Sequence, residues 1–133
     1  MIEENEAQPK SLLALLNRCF VDYQAPELIV LSGIAYLTHV VLEIPSKNGF
    51  GVETKYITGP IKMYSIQGSI YKKNNKPFAF VHVILGPNKQ YEGTLLKGDV
   101  SVGSVNLINK KQFKALGLMD QFRKVIAHMR ETE

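Results

Sequence analysis

Three things are scarce in this sequence, and each scarcity excludes something. Cys19 is the single cysteine among 133 residues. An intrachain disulfide is therefore excluded, and so is a zinc site built from several thiolates. Long hydrophobic runs are also missing. Stretches such as Leu28–Leu31 and Val81–Leu85 fall far short of the roughly 20 apolar residues that a membrane-spanning helix needs, so no membrane partner is expected. The third scarcity is a dense block of one charge. The formal net charge is +4, an excess that attracts phosphates and nucleic acids. Its densest cluster is only Lys72-Lys73-Asn74-Asn75-Lys76, with Lys110-Lys111 and Arg123-Lys124 elsewhere. Such short groups read as solvated loop and helix faces that favour solubility. The opening residues Met1 to Glu6 are acidic and polar, the opposite of a secretory signal, and a cytoplasmic location is the expectation that remains. No GxSxG, P-loop, GxGxxG or HExxH pattern occurs.

What is present suits one ordinary domain. Hydrophobic residues make up 45% of the chain and charged residues 21%, enough for a core and too apolar for global disorder. Residues 1–9 read as a flexible polar lead. Leu12, Leu13, Leu15, Leu16, Cys19 and Phe20 recur with helical spacing, and Pro26 ends that region. Leu28–Leu31 then reads as a short buried strand with Ser32-Gly33 as its turn. Leu37 to Ile44 reads as the next strand, with Thr38, Val40, Leu42 and Ile44 on one face and Leu37, His39, Val41 and Glu43 on the other. Further strands are predicted over Val52–Thr58, Ile61–Tyr71, Phe78–Leu85, Gln90–Leu96 and Val100–Ile108. Gly68 is a bulge or close-approach point, Lys72–Pro77 a hairpin turn, and Lys97-Gly98-Asp99 a break between the last two strands. From Phe113 onward, Leu116, Met119, Phe122, Val125, Ile126 and Met129 form the stripe of an amphipathic helix. The pattern predicts an α+β fold: a mixed, largely antiparallel sheet with an N-terminal and a C-terminal helix.

Three stretches carry a resemblance. Leu12–Leu16, followed by Ile29 to Leu37 with its Ser32-Gly33-Ile34-Ala35 step, is similar to the first helix, strand and glycine turn of the plants and prokaryotes conserved (PPC) domain. Ile61 to Ile70, with Gly68 at the glycine, resembles that family's "fEilSLsGti" strand. Pro77 to Val83 followed by Tyr91-Glu92-Gly93-Thr94-Leu95 resembles its "pfvHlHv…GGHL" core. The resemblance spans residues 10–109 and implies a PPC-like fold there; the helix of residues 110–133 is less typical of the family and is expected to pack on the same domain.

The departures matter as much. The family pattern has two histidines in its HxH strand and one in GGHL, close enough to suggest a metal or polar site. Here only the second HxH position is kept, as His82; Phe80 stands at the first, Thr94 replaces the GGHL histidine, and Glu92 replaces its first glycine. A phenyl ring coordinates nothing and a neutral hydroxyl coordinates poorly, so no metal and no other cofactor is expected. The resemblance also implies a homotrimer. Phe78, Phe80, Tyr71 and Tyr91 offer more apolar surface than one small sheet is expected to hide, which fits assembly. In plants the domain accompanies AT-hook arms that enter the minor groove; the sequence contains no such segment.

The candidate ligand-binding residues are His82, Glu92, Gly93 and Thr94. His82 shares a strand face with Phe78, Phe80 and Ile84. It reads either as a ligand or proton-transfer group partnered by Glu92, or as a buried histidine bonded to a neighbour. Glycine at 93 permits close approach, and the carboxylate and hydroxyl beside it suit a polar ligand, unless they are merely a solvated strand edge. His39 would join His82 at a metal only if their strands were adjacent in the right register. His128 reads as surface structure, and Cys19 as a core filler rather than a nucleophile; no catalytic residue is assigned. The expectation is a non-catalytic trimeric binding or regulatory module. The alternatives are a small-molecule-binding protein or enzyme with an intersubunit pocket around His82, and a protein weakly associated with DNA.

Overall fold

The computed structural model describes residues 2–4, 10–24, 26–109 and 111–112. The C-terminal helix expected from Phe113 onward lies outside the described residues. Ser11 starts the helix α1 (Leu12–Tyr23) by accepting a hydrogen bond from the Ala14 N–H at 3.2 Å, an N-cap that satisfies one orphan donor. Leu12, Leu16 and Phe20, spaced four apart, form its buried stripe. Gln24 ends it in the left-handed conformation, its N–H donating to the Val21 carbonyl. The stripe packs against the sheet, so α1 acts as a plug over one end of the core.

The strands are β1 (Ile2–Glu4), β2 (Lys10–Ser11), β3 (Glu27–Pro45), β4 (Val52–Ile57), β5 (Ile61–Lys73), β6 (Lys76–Leu85) and β7 (Tyr91–Asn109). They form one seven-stranded sheet in the order β1-β7-β6-β5-β3-β4, with β2 also on β7. A further β7–β3 pairing makes β3, β5, β6 and β7 a closed ring. Every pairing described is antiparallel, so the sheet is not mixed. Ile2–Glu4 pairs with Gly103–Val105 of β7; part of the lead expected to be flexible is thus a strand.

Two predicted breaks are absent. Ser32-Gly33 is not a turn: Ser32 pairs with Asn106 and Gly33 with Val105 inside the 19-residue β3. Lys97-Gly98-Asp99 does not separate two strands: Lys97 pairs with Val41 and Asp99 with Thr38 inside the 19-residue β7. Both strands bend by bulges instead. The β3–β7 register shifts between Val30 and Ser32, between Tyr36 and Leu37, between Thr38 and Val41, and between Val41 and Leu42. Each shift inserts an unpaired residue and bends its strand, which lets two long strands wrap a small core. The shift at His39, whose φ is +52°, also resets the alternation. Leu37, Val40 and Leu42 are all buried, so Leu37 lies on the core face, not on the face expected for it.

The hairpin over residues 72–77 is as expected. Lys73 pairs with Lys76 across Asn74-Asn75, both at positive φ, the conformation that matches a two-residue turn to strand twist. Gly68 is a close-approach point rather than a bulge. It pairs with Val81, and a Cβ there would land on the Phe80 carbonyl oxygen.

Candidate ligand cleft beside the His82–Glu92 pair

Alternation along β6 decides which way His82 points. Ala79, Val81, Val83 and Leu85 are buried in the core, so Phe78, Phe80, His82 and Ile84 take the outer face, as the sequence pattern implied. Four strands carry that face. His82 is directly opposite Gln67 on β5 and Thr94 on β7, and Thr94 is opposite Glu43 on β3. Gln67, His82, Thr94 and Glu43 therefore form one polar row across the sheet. Glu92, two residues from Thr94, lies on the same face, and its Oε2 is 3.0 Å from His82 Nε2. With the carboxylate accepting from Nε2–H, Nδ1 is the ring nitrogen left for another partner. His82 Nδ1 is buried and has no hydrogen-bond partner among the described residues.

Next to this row β6 and β7 part. Their register runs from Leu85 opposite Tyr91 to His82 opposite Thr94 and then stops. β7 bulges at Leu96 and follows β3, while β6 continues along β5. The gap is a cleft of about 380 Å³, within the size range of small-ligand sites. Leu13 of α1 is part of its lining. Phe78, Phe80, Tyr71 and Leu96 supply apolar walls, and Thr94 and Glu43 supply polar groups. Tyr71 and Phe78 meet edge to face with ring centroids 5.7 Å apart, and the Lys73 ammonium lies 4.6 Å from the Phe78 centroid. Thr94 is only 6% exposed although it is on the outer face, because the cleft wall shields it.

The other expected site residues divide. Gly93 faces inward, and a Cβ there would come within 2.6 Å of the Glu43 carbonyl oxygen and 2.7 Å of Ile44 Cγ2. Its role is the close approach of β7 to β3. His39 is 3.4 Å from Asp99 and its side chain is 70% exposed. Asp99 and Thr94 are five residues apart on one strand, roughly 15 Å at the usual rise, so His39 and His82 are not brought together. Among the described residues no cluster of three or more metal-binding side chains occurs, and no helix is long and apolar enough to cross a membrane. Cys19 is half-buried on the flank of α1 rather than in the core; burial pushes its thiol pKa above the ordinary value. Tyr91, expected to be surplus apolar surface, packs against the core. The strongly exposed aromatics are instead Phe50 and Tyr56 on the β3–β4 hairpin, with Tyr23 and Tyr36. Sequence reasoning missed Glu43 because its membership depends on a register set by four bulges.

Residues 11–109 match the model of the Plants and Prokaryotes Conserved domain. The chain belongs to this family. Three solved structures share the fold. A plant- and prokaryote-conserved protein of Pyrococcus horikoshii is 20% identical, with 81% of this chain and 76% of that chain covered and a TM-score of 0.67. A metal-containing protein of Archaeoglobus fulgidus is 20% identical, with 82% and 84% covered and a TM-score of 0.65. A candidate DNA-binding protein of Ralstonia eutropha JMP134 is 21% identical, with 81% and 73% covered and a TM-score of 0.60. No curated protein matches the chain.

The three positions of the PPC histidine pattern are Phe80, His82 and Thr94. Phe80 is two residues from His82 on one face and Thr94 is directly opposite it, so the fold still gathers them. The donor set does not fit a metal. The phenyl group donates nothing, the hydroxyl is a poor ligand, and the one imidazole spends Nε2 on Glu92.

Proposed function

We propose that this PPC chain is a non-catalytic, trimeric binding module that holds a small molecule in the cleft between β6 and β7. The observation that carries this reading is the parting of the two strands beside the polar row. It leaves an aromatic-walled cavity with Thr94 and Glu43 in its lining and the His82–Glu92 pair next to it. A mostly apolar cavity with a few convergent polar groups is the usual form of a ligand site. The trimeric part rests on the family resemblance and on the exposed apolar side chains Ile34, Tyr36 and Val102. Tyr36 is opposite Val102 on the outer face of β3 and β7, and such a patch is usually an assembly face.

A thermal-shift screen with small aromatic amines, alcohols and amides tests the cleft. Compounds that stabilise the wild type should lose that effect in Thr94→Val and Glu43→Gln. A screen in which every stabilising compound is indifferent to both changes would sink the reading.

DNA association is a second reading with two supports. One is the description of the Ralstonia relative. The other is that Lys62 and Lys89 converge on one ring, their ammonium groups 4.8 Å and 5.9 Å from the Tyr64 centroid. Binding through a few lysines is expected to be weak and to fall steeply with salt. No retention of duplex DNA at about 50 mM salt would remove it.

A further inference from the structure

We infer that the cleft is completed in trans, by Phe50 at the tip of the β3–β4 hairpin of a second copy of this chain. This rests on the trimeric reading above and adds which surfaces meet.

Phe50 is 83% exposed, more than any other large hydrophobic side chain among the described residues. A mobile tip would need no explanation, but this tip is built. The Asn48 side-chain oxygen accepts from the Ser46 hydroxyl and from the Phe50 N–H, both at 2.9 Å. Ser46 N–H donates to the Gly51 carbonyl, and Gly49 N–H donates to the Ser46 carbonyl. Gly49 and Gly51 take the positive φ values that the tight loop requires. The loop therefore fixes a bare phenyl group outward. Val52 and Tyr56, two residues of β4 just beyond the tip, are also exposed, so the knob has further apolar surface behind it.

The cleft cannot be filled by its own hairpin. From Glu43, β3 runs to Pro45 and the tip, alongside β7 in the direction of Tyr91. The cleft opens the other way, toward Leu96. A knob and a hole on opposite ends of one surface make a heterologous contact, which closes into a ring when the rotation permits. Size and chemistry agree. The cleft's Leu13, Tyr71, Phe78 and Leu96 offer apolar walls for one aromatic ring, and about 380 Å³ leaves room beside it for a small ligand. Charge agrees too. The hairpin carries Lys47 and Lys55 against Glu53, while Glu43 lines the cleft and Glu92 stands near it, against Lys73 in the lining. The ligand site is thus incomplete in one chain, and the neighbour supplies its lid.

The experiment is sedimentation across a concentration series with the full chain, its Phe50→Ala variant and its Phe50→Trp variant. Phe50 touches little in its own chain, so both variants are expected to fold, and circular dichroism checks this. Phe50→Ala should raise the concentration at which the assembly dissociates by about thirtyfold or more, as for a buried aromatic anchor. The sequence has no tryptophan, so Phe50→Trp places one reporter at the tip. Its emission should be blue-shifted in the assembly and should move to that of a water-exposed indole on dilution. An assembly indifferent to Phe50→Ala, or a water-exposed emission within the assembly, overturns the hairpin contact and leaves the trimer standing. A wild type that stays monomeric at every concentration overturns both. Thr94→Val should weaken stabilisation by the amines, alcohols and amides of the screen more than it moves the dissociation midpoint, which separates failure of the cleft from failure of the contact.

Discussion

Replacing Gly68 by valine is expected to leave the protein unable to fold, and alanine is expected to cost on the order of 3 kcal/mol or more. Gly68 is in the middle of β5, opposite Val30 on one side and Val81 on the other. A Cβ there would land on the Phe80 carbonyl oxygen, with Val81 Cα at 2.8 Å and the Phe80 carbonyl carbon at 3.0 Å. All three atoms are backbone, so no rotamer change relieves the clash, and β6 must move away from β5. That displacement would also shift Phe80 and His82, the β6 residues of the outer face. Small domains have only about 5–15 kcal/mol of stability in total, so a loss of this size is a large share of it. Chemical denaturation of Gly68→Ala measures it, with Gly49→Ala as the comparison. Gly49 has open space around its Cβ position and only an unfavourable φ of +81°, which costs about 1–2 kcal/mol. Equal losses at the two positions would mean that close strand packing is not what Gly68 serves.

Leu16→Ala is expected to destabilise by about 2–5 kcal/mol, the range for emptying a well-packed leucine site. Leu16 is fully buried at the centre of the α1 stripe, and it fastens the helix to the core. Its effect should reach the cleft, because Leu13, on the preceding turn, lines the cleft. Compounds that stabilise the wild type through Thr94 should do so less in Leu16→Ala even at temperatures where the variant is folded. A loss below about 1 kcal/mol would place the helix outside the cooperative core.

These two residues show where sequence is legible. The helix spacing of Leu12, Leu16 and Phe20, the glycine in an alternating strand and the Asn74-Asn75 turn are local signals, and local physics settles them. The side chains of β6 are equally readable. Phe78, Phe80, His82 and Ile84 had to share a face because strand alternation has a period of two. The face on which Glu92 and Thr94 lie follows from the same alternation.

Tertiary structure decided what depends on register. Ser32-Gly33 and Lys97-Gly98-Asp99 carry the composition of turns, yet both lie inside 19-residue strands, because pairing partners on either side continue through them. Bulges such as the one at His39 leave no mark in the sequence, since the extra residue of a bulge needs no particular side chain. Each one nevertheless flips the alternation beyond it, which is why Leu37 faces the core and Glu43 arrives beside Thr94. The cleft itself exists only because β7 leaves β6 to follow β3. Periodicity thus determined the helix α1, most of the strands and the face of His82, and the motif resemblance pointed to the family. The bending and pairing of two long strands determined what surrounds His82, because those depend on contacts between residues far apart in the chain.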